Sequence, residues 1–135
     1  MYRLVLLLAG LSFVMACGSE PPPSLTHYVA AQEALADDDY DRAHKALAQL
    51  LQTADPAFKS LAQQAASAGD IEAMRVVFKP LSEEIIKGEV PEGYVLAYCP
   101  MADNNQGGHW IQKDGPYIMN PYFGSTMLHC GVFKD

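Results

Sequence analysis

Leu25, Tyr28, Ala31 and Leu35 follow one another at steps of three or four residues. That spacing places apolar side chains along one face of an α-helix. Gln32 and Glu33 fall between them and are expected toward the polar side. Asp37-Asp38-Asp39 ends this helix and offers N-caps to the next, because a short carboxylate can accept the free N–H groups of a helix start. Tyr40, Ala43, Leu47, Leu50, Leu51 and Ala54 form a second stripe, and Phe58, Leu61, Ala62 and Ala65 a third. Asp55-Pro56 reads as a cap with proline in the first helical position, where its missing N–H costs nothing. Ala68-Gly69-Asp70 stops the third helix and caps a fourth, whose stripe is Ile71, Met74, Val77, Phe78, Leu81 and Ile85, ending at Gly88. Pro80 lies inside it and is expected to kink or split it. Many of these apolar positions are alanine, so the helices are expected to pack closely. Residues 25–90 thus predict four short antiparallel helices, a bundle of helical hairpins.

From Gly93 the pattern changes: glycine, proline and aromatic residues crowd in and the helical period disappears. Tyr94 to Cys99 has strand composition, Ala102 to Gly108 reads as a polar loop, and His109 to Gln112 as a second strand. Lys113 to Pro116 reads as a turn, Tyr117 to Met119 as a third strand, Asn120 to Gly124 as a loop, and Ser125 to Cys130 as a last turn or short helix. The expected architecture is therefore α+β, with the helical bundle at 25–90 followed by a small irregular β-rich subdomain at 91–135. So short a segment cannot build a large core alone and needs the bundle, a cross-link or a metal to order it.

The stretch ADDDYDRAHKALAQLLQTADP resembles a tetratricopeptide helix, and SAGDIEAMRVVF echoes its first part. The two are spaced too closely for that repeat. They read as one helical hairpin used twice.

The first residues change the compartment. Arg3 is the only charge before a mostly apolar run from Leu4 to Met15, too short for a bilayer span of about 20 residues but suited to a secretory signal peptide. The run stops at Val14-Met15-Ala16-Cys17, which resembles a bacterial lipobox. The resemblance implies cleavage after residue 16, lipidation of Cys17 and a membrane anchor of several acyl chains. Gly18, in place of the aspartate that retains such proteins at the inner membrane, points to the outer membrane of a Gram-negative cell, facing the periplasm. Residues 17–24, ending in SEPPPS, would be a lipidated stiff tether.

The chain carries 16 acidic and 9 basic side chains, net −7, and loss of Arg3 makes the mature form more acidic still. Nucleic acid is excluded as a partner, since binding it needs clustered Lys and Arg. A basic membrane-binding face is excluded for the same reason.

With Cys17 lipidated, Cys99 and Cys130 remain. In an oxidising periplasm a pair usually forms a disulfide, and closing this loop of about thirty residues would stabilise the fold by about 3 to 4 kcal/mol in the chain-entropy model. Cu(I) and Ag(I), being soft, select thiolates and thioethers. Cys99, Met101, Met119, Met127, His129 and Cys130 all fall in the C-terminal segment. Met127 and Cys130 would share a face if 127–130 is a helical turn. Disulfide, soft-metal site and separate thiols are all open. A zinc site is not indicated, since there is no CxxC or HxxxH pair.

YCPMADNNQGGHWIQKDGPYIMNPYFGSTMLHCG resembles a bacterial periplasmic domain of unknown function, found alone in lipoproteins or joined to adaptor subunits of copper/silver efflux pumps. The motif positions are Cys99, Pro100, Met101, Trp110, Asn120, Pro121, Tyr122, Gly124, Met127 and Cys130. The resemblance implies heavy-metal handling outside the cytoplasm, with an efflux adaptor or another periplasmic protein as partner. The leading expectation is a lipoprotein that binds or relays Cu(I) or Ag(I) through Cys99, Cys130, Met101 and Met127, with His129 as an auxiliary ligand and Trp110 as a shield. The alternative is a structural or protein-interaction lipoprotein with a Cys99–Cys130 disulfide and no metal. No nucleophile elbow, Ser-His-Asp context or phosphate loop points to an enzyme.

Overall fold

The computed structural model describes residues 20–135. The expected signal peptide, lipobox and lipidated Cys17 lie outside the described residues. The chain is mixed α+β: four long helices are followed by a three-stranded antiparallel sheet. The helices are α1 (Pro23–Ala36), α2 (Tyr40–Thr53), α3 (Lys59–Ala66) and α4 (Ile71–Ile85), and the strands are β1 (Tyr94–Cys99), β2 (Gly108–Lys113) and β3 (Val132–Lys134).

Two of the three expected caps are present. Asp39 accepts the Arg42 N–H at 3.0 Å and Asp70 the Ala73 N–H at 2.8 Å. Asp38, with φ 57°, turns the chain out of α1. Helix α1 begins at Pro23, in the early position where proline is tolerated, so Pro23 and Ser24, expected in the tether, are helical instead. Helix α3 begins three residues later than expected. Asp55 caps a separate turn instead, accepting the Ala57 N–H at 2.9 Å through its side chain and the Phe58 N–H at 3.1 Å through its carbonyl. Helix α4 runs unbroken through Pro80. Pro80 and Val76 are both exposed, so the Val76 carbonyl that loses its donor sits where water can replace it.

Helix α1 packs on α2, α2 on α3 and α3 on α4, while β2 contacts both α1 and α4. Tyr28, Leu35, Leu47, Leu50, Met74, Phe78 and Leu81 are wholly buried, and Ala31, Ala34, Ala43, Ala62 and Ala65 let the helices approach. The Tyr28 and Phe78 rings stack with centroids 5.1 Å apart, and Tyr28 Oη lies 2.7 Å from Ser82 Oγ, joining α1 to α4. Each large apolar side chain taken from water contributes about 1.5 to 3 kcal/mol, so this cluster dominates the interior.

Gln32 departs from the expected polar side: it is wholly buried. Its Nε2 donates to the Met119 carbonyl at 2.6 Å, a partner 87 residues away that covers this side of α1. Glu33 stays at the surface and pairs with Lys113 at 2.9 Å.

The sheet order is β2-β1-β3. Its alternation divides two clusters. Leu96 and Ile111 sit opposite each other and join the helical core. Ala97 and Trp110, also opposite, belong with Cys99, Ala102 and Ile118 to a second cluster. The third strand is Val132–Lys134, not Tyr117–Met119. Residues 117–119 are held by a side chain in place of a ladder. Gln112 donates from Nε2 to the Tyr117 carbonyl at 2.8 Å and accepts the Met119 N–H at 2.9 Å, which frees Ile118 to enter the second cluster.

Candidate functional site

Cys99 ends β1, and Cys130 stands two residues before β3. The β1–β3 ladder pairs Ala97 with Phe133 and Tyr98 with Val132, so continuing it brings the chain before β3 alongside Cys99. The two Sγ atoms lie 3.2 Å apart. Cys99 is wholly buried and Cys130 half-buried.

Gly131 makes this approach possible. Its φ is +136°, and a Cβ there would come within 2.8 Å of the Tyr98 carbonyl and 3.1 Å of the Trp110 ring. Turn hydrogen bonds fix the rest: Cys130 N–H donates to the Met127 carbonyl at 3.0 Å, closing a turn over 127–130. Buried Asn120 donates from Nδ2 to the Cys130 carbonyl at 2.8 Å, accepts the Tyr122 N–H at 2.8 Å, and donates its own N–H to the Leu128 carbonyl at 2.8 Å. Asn120 thus ties the Asn-Pro-Tyr loop to the cysteine turn.

Trp110 is wholly buried behind the pair. Its Nε1–H donates to Gln112 Oε1 at 3.0 Å, and its ring meets Tyr122 edge-on with centroids 5.8 Å apart. Tyr122 Oη donates to the His109 carbonyl. Burial pushes the Tyr122 hydroxyl well above its ordinary value, so it stays protonated and keeps a proton to donate. Pro121 presents its carbonyl to Arg75 Nε at 3.0 Å, and Gly124, with φ +54°, passes against the Asp38 carboxylate and Arg75.

The sulfur-bearing side chains expected as ligands separate into two groups. Met101 and Met127 line one surface groove of about 410 Å³ together with Val76, Lys79, Asp103 and Phe123; neither cysteine lines it. Pro100 and Met101 form a turn that carries the thioether out, leaving it 45% exposed. The next residues, Asp103, Asn104 and Asn105, are all left-handed, and Lys79 holds Asp103 with a 2.6 Å ion pair. His129 is turned to the other side: its Nδ1 lies 2.7 Å from the Ile118 carbonyl and its ring 5.6 Å from that of Tyr117. Among the described residues no three His, Cys, Asp or Glu side chains are grouped to hold a metal ion.

The cysteines face each other as thiols. The Cys99 thiol hydrogen-bonded to Cys130, with burial behind it, pushes the Cys130 thiol above its ordinary 9.0. Cys130 is therefore not prepared in advance as a nucleophile or a thiolate ligand, and a metal binding through it must displace a proton. The pair can bind a soft cation and release its protons to solvent, or give two protons and two electrons to an oxidant and close as a disulfide.

Gln112, Arg75 and Gly131 support the site but are not among the side chains the sequence singles out. Gly131 has a signal in the Cys-Gly dipeptide. Gln112 is a polar residue within a strand that otherwise reads as buried, and Arg75 looks like any solvent-facing residue of an amphipathic helix. Comparison with protein-family models, with curated proteins and with solved structures finds no match to this chain.

Proposed function

We propose that the protein is a lipoprotein, anchored through Cys17 to the outer membrane and facing the periplasm, that binds or relays Cu(I) or Ag(I) as an accessory to metal efflux. The observation that supports this reading is the 3.2 Å approach of the Cys99 and Cys130 sulfurs against an apolar wall containing Trp110. Two soft donors, one of them wholly buried, suit a soft monovalent cation. Met101 and Met127, grouped in their own groove, would serve as an outer pair that receives or hands on the ion. His129, with Nδ1 on a carbonyl, is left with Nε2 as an auxiliary ligand. In this reading the four long helices form an antiparallel bundle of two hairpins, supported by their shared core, and carry the metal-handling segment on the bundle.

The test is the native intact mass of the chain with Cys17 replaced, exported to a copper-supplemented periplasm. A copper adduct lost on Cys99→Ser supports the proposal. Unchanged copper binding in that variant overturns it.

A second reading has its own support: Cys99 is wholly buried in an apolar cluster with the Cys130 sulfur 3.2 Å away, which suits a structural disulfide. The protein would then be an interaction lipoprotein. A mass lower by two hydrogens and no metal would identify it.

A further inference from the structure

A second concavity, sharing no lining residue with either sulfur pair, lies between the start of α1, the α2–α3 turn and the connection from α4 to β1. Its volume is about 820 Å³. Leu25, Phe58, Ile85 and Ile111 supply apolar lining, and Glu20, Asp55, Glu84, Glu89 and Glu92 supply carboxylates. The one cationic side chain there, Lys87, is occupied by Glu84 at 2.6 Å. Asp55 is engaged by the Ala57 N–H. Glu20, Glu89 and Glu92 form no ion pair among the described residues.

We infer that this groove binds an amphiphilic organic cation, its apolar body on Leu25, Phe58, Ile85 and Ile111 and its charged group among Glu20, Glu89 and Glu92. The volume falls within the roughly 300 to 1,000 Å³ typical of small-molecule sites. A partner helix, about 10 Å across, would fill it in roughly two turns, too short to present an amphipathic face. Like charges around a concavity with apolar walls concentrate their field, which attracts cations and repels anions. Glu20, Glu89 and Glu92 are exposed, and a neutral apolar ligand would make no use of their charge.

The experiment uses the full chain carrying Cys17→Ser, in detergent-free buffer, with rhodamine 6G as cationic probe and fluorescein as an anionic dye of similar size. Fluorescence anisotropy should show saturable rhodamine binding and none of fluorescein. The exposed triple variant Glu20→Gln, Glu89→Gln, Glu92→Gln should weaken rhodamine binding at least tenfold with an unchanged melting temperature. Ala57→Trp, which adds bulk to the lining, should weaken it. Absence of saturable rhodamine binding overturns the inference. Equal binding of fluorescein, or full affinity in the triple variant, overturns the cationic assignment. A Lys/Leu repeat peptide that binds the groove where rhodamine does not would assign it to a protein partner and likewise overturn the proposal. None of these readouts depends on the cysteines.

Discussion

Asp38 Oδ1 stands 2.6 Å from Nη2 of Arg75, and this pair fastens three distant parts of the chain. Buried Arg75 projects from α4, and Nη2 also donates to the Leu35 carbonyl at 2.8 Å, at the end of α1. Its Nε reaches the Pro121 carbonyl in the C-terminal loop, while Asp38 Oδ2 accepts the Ser125 N–H at 3.0 Å. Removing the carboxylate charge leaves the guanidinium with less compensation in a buried position. Asparagine tolerates the left-handed backbone at 38, so Asp38→Asn isolates the charge. Urea denaturation near neutral pH should show a loss of about 1 to 3 kcal/mol. A loss no larger than that of an exposed control such as Asp41→Asn would show that the latch contributes little.

The same pair sets an acid limit. Hydrogen bonds from Ser125 and then Arg75 hold the Asp38 carboxyl at about 2, against an ordinary 3.8. A folded value below the unfolded one means that the carboxylate contributes fully above the ordinary value, and its contribution is lost as pH falls through the folded value. The stability gap between wild type and Asp38→Asn should therefore be constant from about pH 5 upward and close between about pH 4 and 2. A gap that persists undiminished at the acid end would contradict the linkage.

Gly131 should be hard to replace. Alanine there suffers both a left-handed backbone and contact with the Tyr98 carbonyl and the Trp110 ring. Gly69, where an added Cβ would meet no atom within 4 Å and the backbone is not left-handed, is the control. Gly131→Ala should cost about 2 to 4 kcal/mol and reduce the yield of oxidative Cys99–Cys130 cross-linking, whereas Gly69→Ala should change neither. Normal cross-linking in Gly131→Ala would mean that the thiols meet without this close passage.

Gln112 holds residues 117–119, whose composition predicts a strand. One amide accepts from Trp110 Nε1 and Met119 N and donates to the Tyr117 carbonyl. Leucine is apolar and of comparable bulk but leaves these groups without a partner, at about 1 to 3 kcal/mol for each that stays buried. Gln112→Leu should destabilise the fold by about 2 to 4 kcal/mol and speed hydrogen exchange at Met119 before the helices open. Unchanged exchange at Met119 would show that the segment is held by Ile118 packing alone.

The helices are legible in the sequence because their order is local: caps such as Asp39 and Asp70 act within three residues, and the apolar stripes follow one period. The burial of Gln32 is not legible, because its partner, the Met119 carbonyl, comes from the far end of the chain. The third strand is hidden for a related reason. Tyr117 to Met119 has the apolar composition of a strand, yet Gln112 provides its hydrogen bonds, while Val132 and Phe133 pair with β1 as exposed residues at the sheet edge. A meeting of the cysteines can be suspected from the sequence, since both stand in short motifs. The separation of Met101 and Met127 from them cannot be read there, because it depends on the direction of the Pro100–Met101 turn and on a left-handed run at 103–105 that composition does not reveal.

Cys130 should be a slow thiol for as long as Cys99 is beside it. The hydrogen bond with Cys99 is the largest cause of its upward shift, followed by burial. At about pH 8 little thiolate is present, and the thiolate is the species that alkylates. Cys99→Ala removes the largest cause and leaves the half-exposed turn at 127–130 in place, so Cys130 should react with iodoacetamide several-fold faster at that pH. In the reduced wild-type chain the rate should still be rising above about pH 9, and in the variant its midpoint should move down. The removed sulfur leaves a small void beside Trp110, so melting temperatures must accompany the rates. A faster Cys130 with the fold retained would establish that the two thiols interact directly in the reduced protein. An unchanged rate would assign the slowness to burial and place the sulfurs too far apart to influence each other's ionisation.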